Sequence, residues 1–273
     1  MTRHPRSLGY QTDLALLRLE GAETEEADGY TIVRTPGNLT FWWGNFLLLD
    51  APPQPGSLEP WLARFREAHP HAHHVTLGVD TTDGALDDRT ASEFAAAGFT
   101  LGRNTVLTAS HTTPTRPLPP GVTLRPLTSE ADWEAALDLR LNVNAADPQA
   151  HEEASYRVFA GRKLTALRAA GETGHGTYFG AFEDGRMLAG LGVYDAGWSV
   201  ARYQNVETHP GARSRGLAGN LVHFAGEWAG EHLAARTLVI VADPEYHAQR
   251  LYERVGFRPA QVQLGLERPP AQL

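Results

Sequence analysis

The chain has 273 residues, 42% of them apolar and 21% charged, with a formal charge of −8 and no cysteine. That length holds one large or two modest domains with real cores, and the balance of residues excludes a disordered chain. The negative charge speaks against nucleic acid, the lack of cysteine excludes disulfides and thiolate metal sites, and no run of about 18 apolar residues or apolar signal core marks a membrane span or export. A cytoplasmic location is expected, because cysteine-free chains fit a reducing compartment.

In chain order, "GYTIVRTP" and "TFWWGNFLLLD" read as strands from their β-branched and aromatic content. "SLEPWLARFREAH" sets Leu58, Trp61, Leu62 and Phe65 at helical spacing behind Ser57 as cap. "HHVTLGVD" is a strand, "DDRTASEFAAAGF" a helix ending at Gly98, and "LGRNTVLTAS" a strand. The predicted order is β-β-α-β-α-β. "HTTPTRPLPPG", 111–121, has four prolines and three threonines and is expected to be an extended linker.

After the linker, "VTLRPLT" is a strand and Ser129 opens a helix carrying Trp133, Leu137 and Leu141. A second helix, "EEASYRVFAGRKLTALRAAG", follows, then three strands, "GTYFGAFEDG", "RMLAGLGVYDAG" and "SVARYQNVETHP", joined by short turns. Leu217, Leu221, Phe224 and Trp228 mark one face of a long helix that leads to the strand "TLVIVAD". "PEYHAQRLYERVG" is a last helix with Ala248, Leu251, Tyr252 and Val255 inward, and "FRPAQVQLGLER" a last strand. The second half reads β-α-α-β-β-β-α-β-α-β. "SEFAAAGF" and "RLYERVGF" form a faint internal repeat that suggests duplication.

"PGARSRGLAGN", Pro210 to Asn220, sets two arginines and three glycines just ahead of the long helix. A helix start has unpaired N–H groups and a partial positive charge, which suit a phosphate, and small residues let an anion approach. Arg213, Gly216 and Ala218 fit R-x-x-G-x-A, the pattern of a pyrophosphate cradle. The bland alternative is a helix start in which Gly216 relieves crowding and the arginines are solvated. No Gly-Lys-Ser/Thr follows, which argues against a P-loop, and the position after a meander argues against a dinucleotide fold.

"VETHPGARSRGLAG" resembles the acetyl-CoA-binding segment of the GCN5-related N-acetyltransferases (the GNAT superfamily), and "AQRLYERVGF" resembles that family's later L-Y-E-x-x-G-F helix and strand start. Both stand in the family's order, and residues 122–268 read like its fold. The resemblance implies an α/β mixed sheet of acyl-CoA N-acyltransferase-like fold in two tandem domains. These are a degenerate domain 1–110, the linker 111–121 and a catalytic domain 122–273. It implies that the backbone from Val206 to Thr208 pairs with the pantetheine arm of acetyl-CoA. It also implies that N–H groups of Ser214, Arg215, Gly216, Leu217, Ala218 and Gly219 hold the pyrophosphate, with Arg213 and Arg215 beside it. Tyr252 falls on the tyrosine that in many members protonates the departing thiolate. Glu245 stands where the family often has an asparagine.

An attacking amine must lose a proton, so a base is needed. Glu207 is the candidate, on the strand beside the expected acyl position; a solvated strand residue or an arginine partner is the alternative. Tyr252 likewise has an alternative as a core tyrosine with its hydroxyl at the rim. The expectation is acetyl transfer to a primary amine of a small molecule or peptide, without metal, nucleic acid or membrane; a non-catalytic acyl-CoA sensor is the alternative. The acceptor and the oligomeric state are not legible.

"HPHAHH" clusters His69, His71, His73 and His74, with His71 and His73 on one strand face, but lacks a carboxylate at ligand spacing and reads as a solvated loop. "FWWGNF" reads as core or interface more than as a pocket. No G-x-S-x-G elbow supports a serine nucleophile. The first half has "DAPPQPGSLEP" before its helix, with no R-x-x-G-x-A and with prolines in place of donors, and alanine where the tyrosine would stand. It is expected to bind no cofactor.

Overall fold

A computed structural model describes residues 4–244 and 248–270. The chain divides into two compact units. One comprises residues 4–106, 241–244 and 259–270, the other 107–240 and 248–258. The α/β mixed sheet that the resemblance implies is present in both.

The first unit begins with α1 (Leu8–Leu19), which the strand-and-helix reading above does not contain. Tyr10, Leu14 and Leu17 recur at helical spacing and are buried, and Ser7 caps the start by accepting from Tyr10 N–H at 3.4 Å. β1 (Glu23–Ala27) is also additional. Its acidic sequence has no strand propensity, but a turn at Asp28-Gly29 pairs it with β2 (Tyr30–Arg34), and its charges keep an edge strand from further pairing. Only Phe46–Leu49 of "TFWWGNFLLLD" becomes a strand, β3. Asn45 explains this, because its amide donates to the Asn38 and Phe41 oxygens and accepts from Thr35 N–H, holding Phe41–Asn45 as a loop with a 3-10 turn at Trp42–Gly44.

α2 (Leu58–Ala68), β4 (Val75–Val79), α3 (Asp88–Ala96) and β5 (Thr100–Ala109) follow as expected. Ser57, expected as the cap of α2, makes no side-chain cap bond; its hydroxyl donates to Gln54 O at 2.6 Å. The Glu93 carboxylate from α3 takes the donors instead, from Gly56 N–H at 2.6 Å and Leu58 N–H at 3.3 Å. His69 and His74 are buried, not solvated. His74 stacks on Trp42 and bonds Asn45 O, His69 sits on Phe65, and burial lowers both pKa values, that of His69 to about 4. Among the described residues no cluster of three His, Asp or Glu side chains is placed for a metal ion. The aromatic stretch is core: Phe46 is buried, and Trp43 gives its indole N–H to Glu267.

In the second unit, β6 (Val122–Pro126) leads to α4 (Glu130–Ala145), which begins with the expected Ser129 cap. Asp132 completes a capping box, and its bidentate pair with Arg125, at 2.7 and 2.9 Å, holds its pKa well below the usual carboxylate range. α5 (Glu153–Glu172), β7 (Gly176–Glu183), β8 (Arg186–Asp195), β9 (Val200–Thr208), α6 (Leu217–His232), β10 (Thr237–Ala242), α7 (Ala248–Val255) and then β11 (Arg258–Arg268), which from residue 259 on counts with the first unit, match the predicted order.

β6, β7, β8 and β9 form an antiparallel meander, and β10 joins β9 in parallel. β8 is buried along nearly its whole length, as a strand covered on both faces must be; α4 and α6 pack on it. In the first unit β11 pairs antiparallel with β4, Leu264 opposite Val79, and its Leu264 and Leu266 enter the core of Leu47, Leu77 and Phe94. Among the described residues no helix is long and apolar enough to cross a membrane.

Candidate active site

The site is built around the end of β9. Its ladder with β10 has the pairs Val200–Thr237, Ala201–Leu238 and Arg202–Val239, after which β9 runs on to Thr208 with no further β10 pair among the described residues. On its other side the register with β8 slips between Gly190–Glu207 and Gly192–Gln204, so Asn205 and Val206 together oppose Leu191. This is a β-bulge, and Asn205 takes the left-handed conformation that asparagine tolerates better than most residues, φ 52°. A bulge re-aims the following side chains. It leaves Val206, Glu207 and Thr208 half-buried on a stretch of strand with no β10 pair among the described residues.

After β9 comes His209, whose ring nitrogen accepts from Gly211 N–H at 3.1 Å and which starts the 3-10 turn Pro210–Ala212. The chain then passes through Ser214, φ 64°, and Gly216, φ 82°, into α6 with no side-chain cap. Only glycine sits in the Gly216 conformation without strain. Leu217, Ala218 and Gly219 make up the first helical turn, whose N–H groups have no carbonyl one turn back. At Gly219 an added Cβ would lie 3.2 Å from Thr115 Oγ1 and 3.3 Å from Leu251 Cδ1, so this glycine lets the proline-rich segment and α7 close on α6.

The cations of the turn differ. Arg213 is exposed. Arg215 is engaged by Glu183 on β7, Nη1 to Oε2 at 3.0 Å with a second, shorter bond from Nη2. Sequence reasoning missed a third, Arg116. It lies in the proline-rich segment, donates from Nη1 to Ser214 O at 3.3 Å, and would meet a Cβ on Gly216 at 3.5 Å. The segment is tied down by Thr113 N–H to Val255 O at 2.8 Å and by Thr112 to His223 at 3.1 Å. A lone arginine among prolines carries no local signal of such a contact.

Glu207 leads into a polar cluster. Its side chain is 14% exposed and faces Arg140 of α4, 6% exposed, with Oε1 3.7 Å from Nη2. Glu207 Oε2, Arg140 Nε and Nη1, and Asn205 Nδ2 are buried without a hydrogen-bond partner among the described residues. Arg140 Nη2 donates to the Tyr156 hydroxyl at 3.4 Å, and the buried Tyr178 donates to Asn205 O at 3.4 Å. Burial raises the Glu207 pKa, with Arg140 opposing; burial works against the Arg140 charge, but Glu207, Tyr178 and Tyr156 carry its pKa upward on balance. A carboxylate shifted toward neutral pH is suited to accept a proton. Arg140 was missed because it stands in "LDLRLNVN" as one polar residue on a helix of weak amphipathicity.

Tyr252 lies on α7, 5% exposed, its ring edge-on to Phe257 at 6.3 Å. Glu245 lies outside the described residues. The unit thus brings together a strand end beyond its β10 pairs, a cationic helix start and a mostly buried carboxylate. Together these can hold an extended phosphate-bearing molecule and take up a proton.

The acetyltransferase (GNAT) family matches residues 139–257. A GCN5-related N-acetyltransferase from Kribbella flavida shares the fold at a TM-score of 0.65 and 18% identity, over 98% of this chain and 98% of that one. A functionally unknown conserved protein from Staphylococcus epidermidis matches at 0.72 and 12%, over 91% and 94%. A tandem GNAT protein from the clavulanic acid biosynthesis pathway matches at 0.52 and 15%, over 99% and 98%. No curated protein matches the chain.

Proposed function

We propose that this protein, whose residues 139–257 match the acetyltransferase (GNAT) family, moves an acetyl group from acetyl-CoA to a primary amine by direct attack in a ternary complex. The observation that carries the reading is the buried, under-bonded Glu207 on a strand end that has lost its neighbour beside an uncapped, cationic helix start.

Acetyl-CoA is the acyl donor. Backbone N–H groups from Ser214 to Gly219 bind its pyrophosphate, with Arg213 and Arg116 adding charge; Arg215, held by Glu183, sets the turn's shape and field. The Val206–Thr208 backbone pairs with the pantetheine arm and so aims the thioester, which turns a bimolecular encounter into an oriented one. Glu207 takes one proton from the acceptor ammonium. The nitrogen–carbonyl bond then forms and the carbon–sulfur bond breaks; the thiolate takes the Tyr252 proton, the second amine proton passes through solvent to restore the Tyr252 hydroxyl, and Glu207 gives its proton to solvent after turnover.

The first unit binds no cofactor in this reading. Its helix start at α2 is already filled by the Glu93 carboxylate, which leaves no place for a phosphate. Release of CoA from acetyl-CoA, followed over a panel of primary amines, tests the function. Amine-dependent release is expected; release indifferent to every amine, or no binding of CoA, overturns it.

A further inference from the structure

We propose that the acceptor carries a carboxylate as well as its amine, as an α-amino acid does, with the amine on Glu207 and the carboxylate on Arg140. The inference rests on the acetyl-transfer reading and names the substrate class of the same site.

A satisfied arginine–carboxylate pair closes to about 2.8 Å with two parallel bonds. Arg140 and Glu207 stand 3.7 Å apart, and both remain under-bonded. Arg140 has five N–H donors, and the bond to Tyr156 occupies one. A water offers two lone pairs, whereas a carboxylate offers about four in the plane that matches a guanidinium. The unfilled atoms have both signs, with donors on Arg140 and an acceptor on Glu207. A ligand that fills them carries both an acceptor pair and an N–H donor.

Charge points the same way. Glu207 is the counter-charge of Arg140, so an ammonium drawn to Glu207, or a proton delivered to it, leaves a buried guanidinium uncompensated. An acceptor with its own carboxylate restores the balance at each stage, and a plain amine does not. Tyr156 and Phe159 of α5, two half-buried rings, stand beside Arg140, the second 6.0 Å from its guanidinium carbon. The exposed fraction of Glu207 marks where the amine arrives.

The test gives the full chain acetyl-CoA with each of the common α-amino acids, and with the carboxamide and the decarboxylated amine of each. The best amino acid is expected to exceed its amide and its amine in kcat/KM by about 10²-fold or more, a site built to hydrogen-bond a polar group being able to reject analogues without it by up to about 10⁴–10⁵. Arg140→Gln should collapse that ratio, and Arg140→Lys should restore part of it. Equal use of amides or simple amines by the wild type overturns the inference and leaves acetyl transfer standing. If no compound is acetylated, calorimetric titration with the same amino acids decides: binding that Arg140→Gln abolishes supports the site, and no binding overturns it. Absence of CoA binding would instead remove the acetyl-transfer reading, and the amino-acid titration would still report on Arg140.

Discussion

Arg116 Nη1 donates to the Ser214 backbone oxygen at 3.3 Å, so a residue of the proline-rich segment stands at the turn where α6 begins. Its guanidinium is exposed and has further donors to offer an anion. Arg116→Ala is expected to weaken CoA binding about tenfold, roughly 1.5 kcal/mol, the size of one charge-assisted hydrogen bond. Calorimetry at fixed ionic strength checks it; unchanged affinity would assign Arg116 to loop structure alone.

Gly216 holds φ 82° next to Arg116. Gly216→Val strains the turn and crowds the anion path, so CoA affinity should fall sharply while circular dichroism stays native. A folded variant with wild-type affinity would make the turn purely structural.

Glu207 must be ionised to accept a proton, and burial raises its pKa. The rate therefore falls as pH drops, and the acid limb of kcat/KM should lie above the ordinary carboxylate range of about 4.3. Glu207→Gln should erase that limb and cost about 10²-fold or more in turnover. A limb that survives in the Gln variant would place the base elsewhere.

Tyr252 is packed on Phe257, so Tyr252→Phe keeps the packing and removes only the hydroxyl. If that hydroxyl protonates the thiolate, the single-turnover rate should drop by about 10²-fold with cofactor affinity nearly unchanged. Wild-type rates across the pH range would return Tyr252 to the core.

The Glu93 carboxylate fills the α2 start, and the first half lacks both the R-x-x-G-x-A hexad and the tyrosine. Titration should therefore give one CoA site per chain. Two equivalent sites would require Glu93 to be displaced.

Features set by neighbours in the chain were legible in the sequence. The Ser129–Asp132 box, the periodic faces of α2, α6 and α7, the meander β7–β9 and the glycine turn before α6 all depend on residues a few positions apart, so composition and spacing specify them. Where a distant group competes, local reading failed. Ser57 lost its cap position to Glu93 on another helix, Asn45 cross-linked an aromatic stretch into a loop, and acidic β1 formed because a partner strand was available. The same holds at the site. Glu207 and the hexad can be named from the sequence, but the meeting of Glu207 with Arg140 joins β9 to α4, and that of Ser214 with Arg116 joins the turn to the proline-rich segment. Those contacts, and the burial that shifts the Glu207 pKa, exist only once packing has excluded water from groups far apart in the chain.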